Sequence, residues 1–126
     1  MSKVTDKRLG VQVDIEARKG ADFARRFHAQ YYSGTTLYDF DFQGYTGATM
    51  QVRRKPNSPI VELSFTTTDS SIVFGNDGRF TLQLGYAAMD ALRSGEYDYD
   101  MYLSNSTYLK RDFMFGVFTL FDRVTR

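Results

Sequence analysis

The chain has 126 residues, a net charge of +1, one histidine and no cysteine. That length suffices for one domain with a real core. The missing cysteines exclude disulfides, thiolate zinc sites and thiol nucleophiles within this chain, and the balanced charge excludes a global field that would draw it to nucleic acid or an acidic membrane.

Residues 1–10 are polar and charged. They are expected to form a flexible arm ahead of a single domain over 11–126. They lack the apolar stretch of a signal peptide, and no apolar run approaches the ~20 residues of a membrane span. Val11, Val13, Ile15 and Ala17 alternate with Gln12, Asp14, Glu16 and Arg18, the period of a half-buried strand. Lys19-Gly20 is a turn. From Ala21 to Gln30 the apolar positions Phe23, Phe27 and Ala29 fit either a strand or a short helix. The strand is preferred, because the period of two continues to Tyr31 and Tyr-Tyr-Ser-Gly closes the segment like a turn. Arg25 is then the misfit on the apolar face.

Thr35 to Gly47 reads as a connection with anchoring aromatics, since Asp39–Gly47 is dense in turn formers. Strands follow at Ala48–Arg53 and Val61–Thr66, separated by a turn with a proline at each end, Pro56 and Pro59. Ser71–Phe74 and Phe80–Leu84 flank Asn76-Asp77-Gly78, a strong hairpin signal. Ala87–Leu92 has the composition of one helical turn, stopped by Arg93-Ser94-Gly95. These short strands with turn chemistry between them predict an all-β antiparallel sandwich or small barrel with one short helical turn.

The last third reads as a long hairpin. Tyr97, Tyr99, Met101 and Leu103 alternate with Glu96, Asp98, Asp100 and Tyr102, and Phe113–Phe121 is apolar on both faces. A strand of that kind needs cover on both faces. Pairing Leu103 with Leu109 sets Tyr99 opposite Phe113, Tyr97 opposite Phe115, and Met101 opposite Arg111. It also sets Asp100 against Asp112, a like-charge pair that costs stability. In this register Tyr97, Tyr99, Leu103, Phe113, Phe115 and Val117 form the expected core. Met114, Phe118 and Leu120 face the other way, as an interface.

Chemistry-bearing residues are few. His28 has neither cysteine nor second histidine to partner it, which favours a strand residue on the sheet surface over an acid–base or metal role. Glu96, Asp98 and Asp100 share one strand face, where a hard cation such as Ca²⁺ is conceivable, but calcium loops concentrate carboxylates with glycine and these are spread along a strand. Arg53-Arg54-Lys55 and Arg25-Arg26 are basic, yet Arg53 and Arg54 point to opposite faces of a strand, so a charged rim is favoured over a phosphate contact. No Gly-x-Ser-x-Gly and no glycine-rich phosphate loop occurs. The residues therefore predict no enzyme, no cofactor and no metal site.

Several local signals stand in one order: Gly20 before an aromatic strand, Phe42-Gln43-Gly44-Tyr45-Thr46, Met50-Gln51-Val52-Arg53, and Asn76-Asp77-Gly78. After these come the Met89–Leu92 turn, Gly95-Glu96-Tyr97-Asp98-Tyr99-Asp100, Gly116-Val117 and Val124-Thr125-Arg126. This array, spanning about residues 10–126, resembles small tailed-bacteriophage proteins of the tail, neck or baseplate. It is similar to the immunoglobulin-like N-terminal domains of phage baseplate upper proteins. It departs from them at Gln43 and in its far more aromatic last strand.

The resemblance implies an immunoglobulin-like β-sandwich and a non-enzymatic virion subunit, made in the host cytoplasm and located in the tail. Its expected partners are copies of itself in a ring-like homo-oligomer and other tail or neck proteins, with no nucleic acid and no membrane. The expected contact residues are Val11 and Val13 beside the arm, and Met114, Phe118, Leu120 and Phe121 on the last strand. Three alternatives stand beside this: a head-decoration or head-fibre attachment protein; a carbohydrate-binding module stacking sugars on Tyr31, Tyr32, Tyr38 and Tyr45; and a metal-dependent hydrolase using the acidic strand.

Overall fold

The structure, a computed structural model, describes residues 10–107 and 109–122. The arm expected over residues 1–10 lies outside them except for Gly10, as do Val124-Thr125-Arg126. The described residues form an all-β sandwich with one short helix. Eleven strands run in chain order: β1 (Val11–Gln12), β2 (Ile15–Arg18), β3 (Phe23–His28), β4 (Gln30–Ser33), β5 (Thr36–Asp39), β6 (Gly47–Arg53), β7 (Leu63–Thr66), β8 (Ile72–Phe74), β9 (Arg79–Leu84), β10 (Gly95–Ser104) and β11 (Arg111–Phe121). A 3-10 turn at Phe42–Gly44 and helix α1 (Tyr86–Asp90) complete it.

The larger sheet runs β1-β11-β10-β6-β7, with β2 also on β11; the smaller runs β3-β9-β8. β4 and β5 pair with each other as a two-stranded ribbon. Aromatic rings knit the two sheets: Phe23 meets Phe65 and Phe118 edge-on, each at 6.0 Å, and Phe80 meets Phe113 at 5.8 Å. The core is the inward half of each alternating strand, as β10 illustrates with Tyr97, Tyr99, Met101 and Leu103 buried and their neighbours not.

Within segment 21–30, Phe23–His28 is a strand rather than a helix, with Phe23 buried and Phe27 half-buried against the core; it breaks at Ala29, and Gln30 opens β4 in the ribbon. Arg25 fits on that apolar side by lying over the Phe23 ring at 5.5 Å and donating to the Glu16 carbonyl at 2.7 Å. Its stem packs while its head reaches an acceptor. The Asn76–Arg79 turn places both Asp77 (φ 59°) and Gly78 (φ 78°) in the left-handed region, the geometry whose twist matches a two-residue hairpin. A Cβ on Gly78 would stand 2.4 Å from the Ala29 carbonyl oxygen, so glycine is required twice over.

Three expectations need correction. The sheet is not wholly antiparallel, because β1 and β2 both pair in parallel with β11. The expected single strand over 11–18 is two, broken at Val13-Asp14. The connection over 35–47 contains a strand, β5, whose residues are all exposed; with no buried face, it carries no alternating apolar pattern to read.

Ser71 is the one buried polar residue among those described. Its hydroxyl accepts from the Thr66 amide at 2.7 Å and lies 2.5 Å from the Asp69 carboxylate. That contact holds the Asp69 carboxyl below the usual carboxylate range. Ser71→Ala is expected to cost about 1–3 kcal/mol, because it strands a part-buried amide without its acceptor. A thermal melt checks this; an unchanged midpoint would mean that water replaces the hydroxyl.

Candidate functional site

On β11 the inward row is Met114, Gly116, Phe118 and Leu120. Met114 is 5% exposed, Phe118 0% and Leu120 1%. These three were expected on an outward interface; they are core, and cannot meet another molecule in the folded chain. The outward row is Phe115, Val117, Thr119 and Phe121, with Phe115 and Phe121 exposed and Val117 half-buried. Phe115 and Val117 therefore leave the expected core.

The reversal has a geometric cause. Tyr97 pairs with Phe118, not Phe115, and Tyr99 with Gly116, not Phe113. The register is offset by three residues, an odd number, and an odd slip turns every side chain to the opposite face. A bulge at Met101/Tyr102 absorbs part of the offset, so that Leu103 pairs with Arg111. At the bulge both Phe113 and Met114 reach the core. Asp100 consequently lies opposite Phe115 rather than Asp112, and the anticipated carboxylate clash does not arise.

Of the other expected contact residues, Val11 is exposed and Val13 half-buried. Val11 lies beside Met114 in the ladder, and Gln12 beside Phe115. Val11, in register with the inward Met114, lines a cleft on that side, whereas Phe115 and Phe121 place apolar surface on the outer face of the large sheet. A second exposed apolar group is carried by the β4–β5 ribbon, whose Tyr32, Leu37 and Tyr38 are all exposed. Sequence reasoning missed this ribbon as a structured element. Its one legible signal was the unusual run of tyrosines ahead of Ser33-Gly34.

A mainly apolar cleft of about 370 Å³ is lined by Val11 and Val13 together with Tyr31 and Tyr32 of the ribbon. Phe27, Phe40, Phe80 and Phe113 also line it. Its polar lining includes His28 and Arg111; Arg111 donates to the Tyr45 hydroxyl at 2.7 Å.

Three of the four tyrosines proposed as a sugar platform stack on other rings. Tyr31 and Tyr38 stack at 5.6 Å, and Tyr45 stacks on Phe40 at 6.0 Å. His28 sits on the outer side of β3, its Nε2 2.8 Å from Asp39 on the ribbon. Gln30 donates to the same carboxylate oxygen at 3.2 Å. The His28 hydrogen bond, then that from Gln30, hold the Asp39 carboxyl below its usual range, with smaller help from the His28 and Arg79 charges.

A carboxyl lowered in this way stabilises the fold above the unfolded carboxylate range and loses that contribution as pH falls through its folded value. Asp39 should therefore titrate below about 3.9, the unperturbed value, when its side-chain carbon is followed by NMR. In His28→Ala the midpoint should move upward. An unmoved midpoint would show that the imidazole does not bind it.

On the outer face of the large sheet, Arg53 donates to Gln51 at 2.8 Å and lies 3.6 Å from Asp100. Arg54 lies over the buried Tyr97 ring at 5.1 Å. Arg54 lies just beyond β6, so strand alternation does not set the direction of its side chain. Among the described residues, no group of three or more His, Cys, Asp or Glu is arranged to hold a metal ion, and the acidic row of β10 makes no such cluster. No helix there is long and apolar enough to cross a membrane.

Comparison with protein-family models gives no match, and no curated protein matches the chain significantly.

Proposed function

We propose that the chain is a non-enzymatic structural subunit of a bacteriophage virion, a ring or adaptor protein of the tail, neck or baseplate. It assembles with copies of itself and with other tail proteins after synthesis in the host cytoplasm. The immunoglobulin-like character and the virion setting rest on the motif resemblance. The observation that carries the assembly reading is the exposed apolar surface in two places, Phe115 and Phe121 on the outer face of the large sheet, and Tyr32, Leu37 and Tyr38 on the ribbon with Val11 in the cleft beside it. Clustered exposed apolar groups rimmed by polar ones mark contact surfaces.

Mass photometry and sedimentation of the purified chain, alone and with neck and tail proteins, test the reading. Concentration-dependent oligomers or stable co-sedimentation are expected. A monomer at every concentration with no affinity for those proteins would refute it. Portal, tail-tube or fibre genes beside its own would support the same class.

The tyrosine ribbon keeps one second reading in view, the carbohydrate-binding module, because Tyr32 and Tyr38 remain exposed. Binding on a glycan array that is lost in Tyr32→Ala would favour it.

A further inference from the structure

The two outer faces of the sandwich differ in the charges they leave without an ion pair among the described residues. On the large sheet, Glu96, Asp98 and Asp100 point outward along β10, beside the outward row of β11. Asp100 is bridged by Arg53, whereas Glu96 and Asp98 make no ion pair with any described residue. On the small sheet, the alternation that buries Phe80 and Leu82 turns Arg79 and Thr81 outward, and the same alternation turns Arg26 outward from β3. Arg26 pairs in the ladder with Thr81, two residues from Arg79.

Arg26 and Arg79 both line a shallow concavity of about 310 Å³, which also contains the exposed Val73. Arg79 has a loose partner in Asp77 at 4.0 Å; Arg26 makes no ion pair with any described residue. One face therefore offers Glu96 and Asp98 beside an apolar row, with Arg53 across the ladder from Asp98 but ion-paired to Asp100. The other offers a hollow lined by Arg26, Arg79 and the exposed Val73, with Asp77 also in its lining. Guanidinium and carboxylate are matched donors and acceptors, and Arg is favoured at such contacts.

We infer that these faces bind each other between copies: the Glu96/Asp98 row of one subunit enters the Arg26/Arg79 concavity of the next. The inference rests on the subunit reading above and specifies its contact. It also dictates the kind of assembly. The complementary patches lie on opposite outer faces of one sandwich, so two copies cannot satisfy both patches with each other. The contact is head-to-tail, and it closes into a ring or runs on as a filament according to the rotation between subunits.

Charge reversal on the full chain decides this. The acidic-face variant carries Glu96→Lys and Asp98→Lys; the basic-face variant carries Arg26→Glu and Arg79→Glu. All four positions lie on outer sheet faces, and matching thermal melts verify the fold; Gln at the same positions serves if a reversed variant melts early. Sedimentation at low salt is expected to show self-association weakened on the order of tenfold or more in either variant alone. Mixing the two variants restores assembly, as does combining all four substitutions in one chain. Raising the salt weakens the wild-type assembly.

Assembly indifferent to either reversal, or a mixture that stays unassembled, overturns this contact and leaves the subunit reading standing. A wild-type chain that stays monomeric but is captured by tail proteins also overturns the self-contact alone. A monomer with no such capture removes both.

Discussion

Phe118→Ala is expected to destabilise the fold strongly rather than to loosen an assembly. Phe118 is fully buried, edge-on to Phe23 at 6.0 Å and tilted against Phe65 at 6.5 Å. These contacts join β11 of the large sheet to β3 of the small one and to β7 at the far edge of its own sheet. Truncating such a ring costs about 3–5 kcal/mol, transfer energy plus an unfilled cavity. Against a total of about 5–15 kcal/mol that is a large fraction, and it lowers the melting midpoint by roughly 10–20 °C at this chain length. Phe118→Ser adds the burial of a hydroxyl and should cost more. The matched control is Phe115→Ser on the outward row of the same strand, for which a shift of about 1 kcal/mol or less is expected. If Phe118→Ser melts like wild type and only assembly suffers, the register described above is wrong by an odd number of residues.

Gly116→Ala is expected to detach β1 and β2 from the sheet. Gly116 lies on the inward row of β11, at the point where the chain leaves β1 and enters β2. A Cβ there would stand 2.3 Å from the Val13 carbonyl oxygen and 2.9 Å from the Asp14 carboxylate. The Val13 carbonyl is backbone and cannot yield cheaply; the carboxylate can swing away only by giving up its hydrogen bond to Val117. The Val13 carbonyl accepts from the buried Tyr99 hydroxyl at 2.5 Å, and Asp14 accepts from the Val117 amide at 3.0 Å. Burial raises the Tyr99 hydroxyl well above its ordinary pKa, with the Asp14 charge adding to the shift, so it stays a donor at physiological pH. The carboxylate thus supplies the acceptor that the broken strand withholds from Val117.

A methyl group at 116 combines overpacking with loss of these bonds, about 2–4 kcal/mol together. Hydrogen exchange locates the effect: the Val13, Val117 and Lys19 amides, which bond to Phe115, Asp14 and Phe121, should lose protection first. Equal protection in Gly116→Ala would mean that the crossing at Gly116 has room to spare.

These two residues also show how far reading the chain could go. That β11 is apolar on both faces was legible from composition alone. Which face is inward was not, because the answer hangs on the register. At Leu103 the partner moves from Leu109 to Arg111, an even step that keeps the face, and the bulge at Met101/Tyr102 adds the one residue that reverses it. Gly116 was visible as a motif residue, but nothing local says that another backbone passes 2.3 Å from its missing Cβ. The exposed β5 was missed for the complementary reason: strands are recognised by the contrast between a wet and a dry face, and β5 has no dry face. The acidic row on β10 and the outward Arg26 were both legible as alternation. Their placement on opposite sides of one sandwich was not.

By itself, the sequence determined what local physics determines: an all-β chain, the positions of its main strands, the Asp77-Gly78 turn, the short helix, and the alternating inward set of β10. Each follows from side-chain periodicity or turn stereochemistry within a few residues. Tertiary structure alone decided the parallel docking of β1 and β2 on β11, the odd offset of the final hairpin with its bulge, and therefore which aromatics are core and which are surface. Those outcomes depend on contacts between residues distant in the chain, where a slip of one residue leaves every local pattern intact and exchanges the two faces.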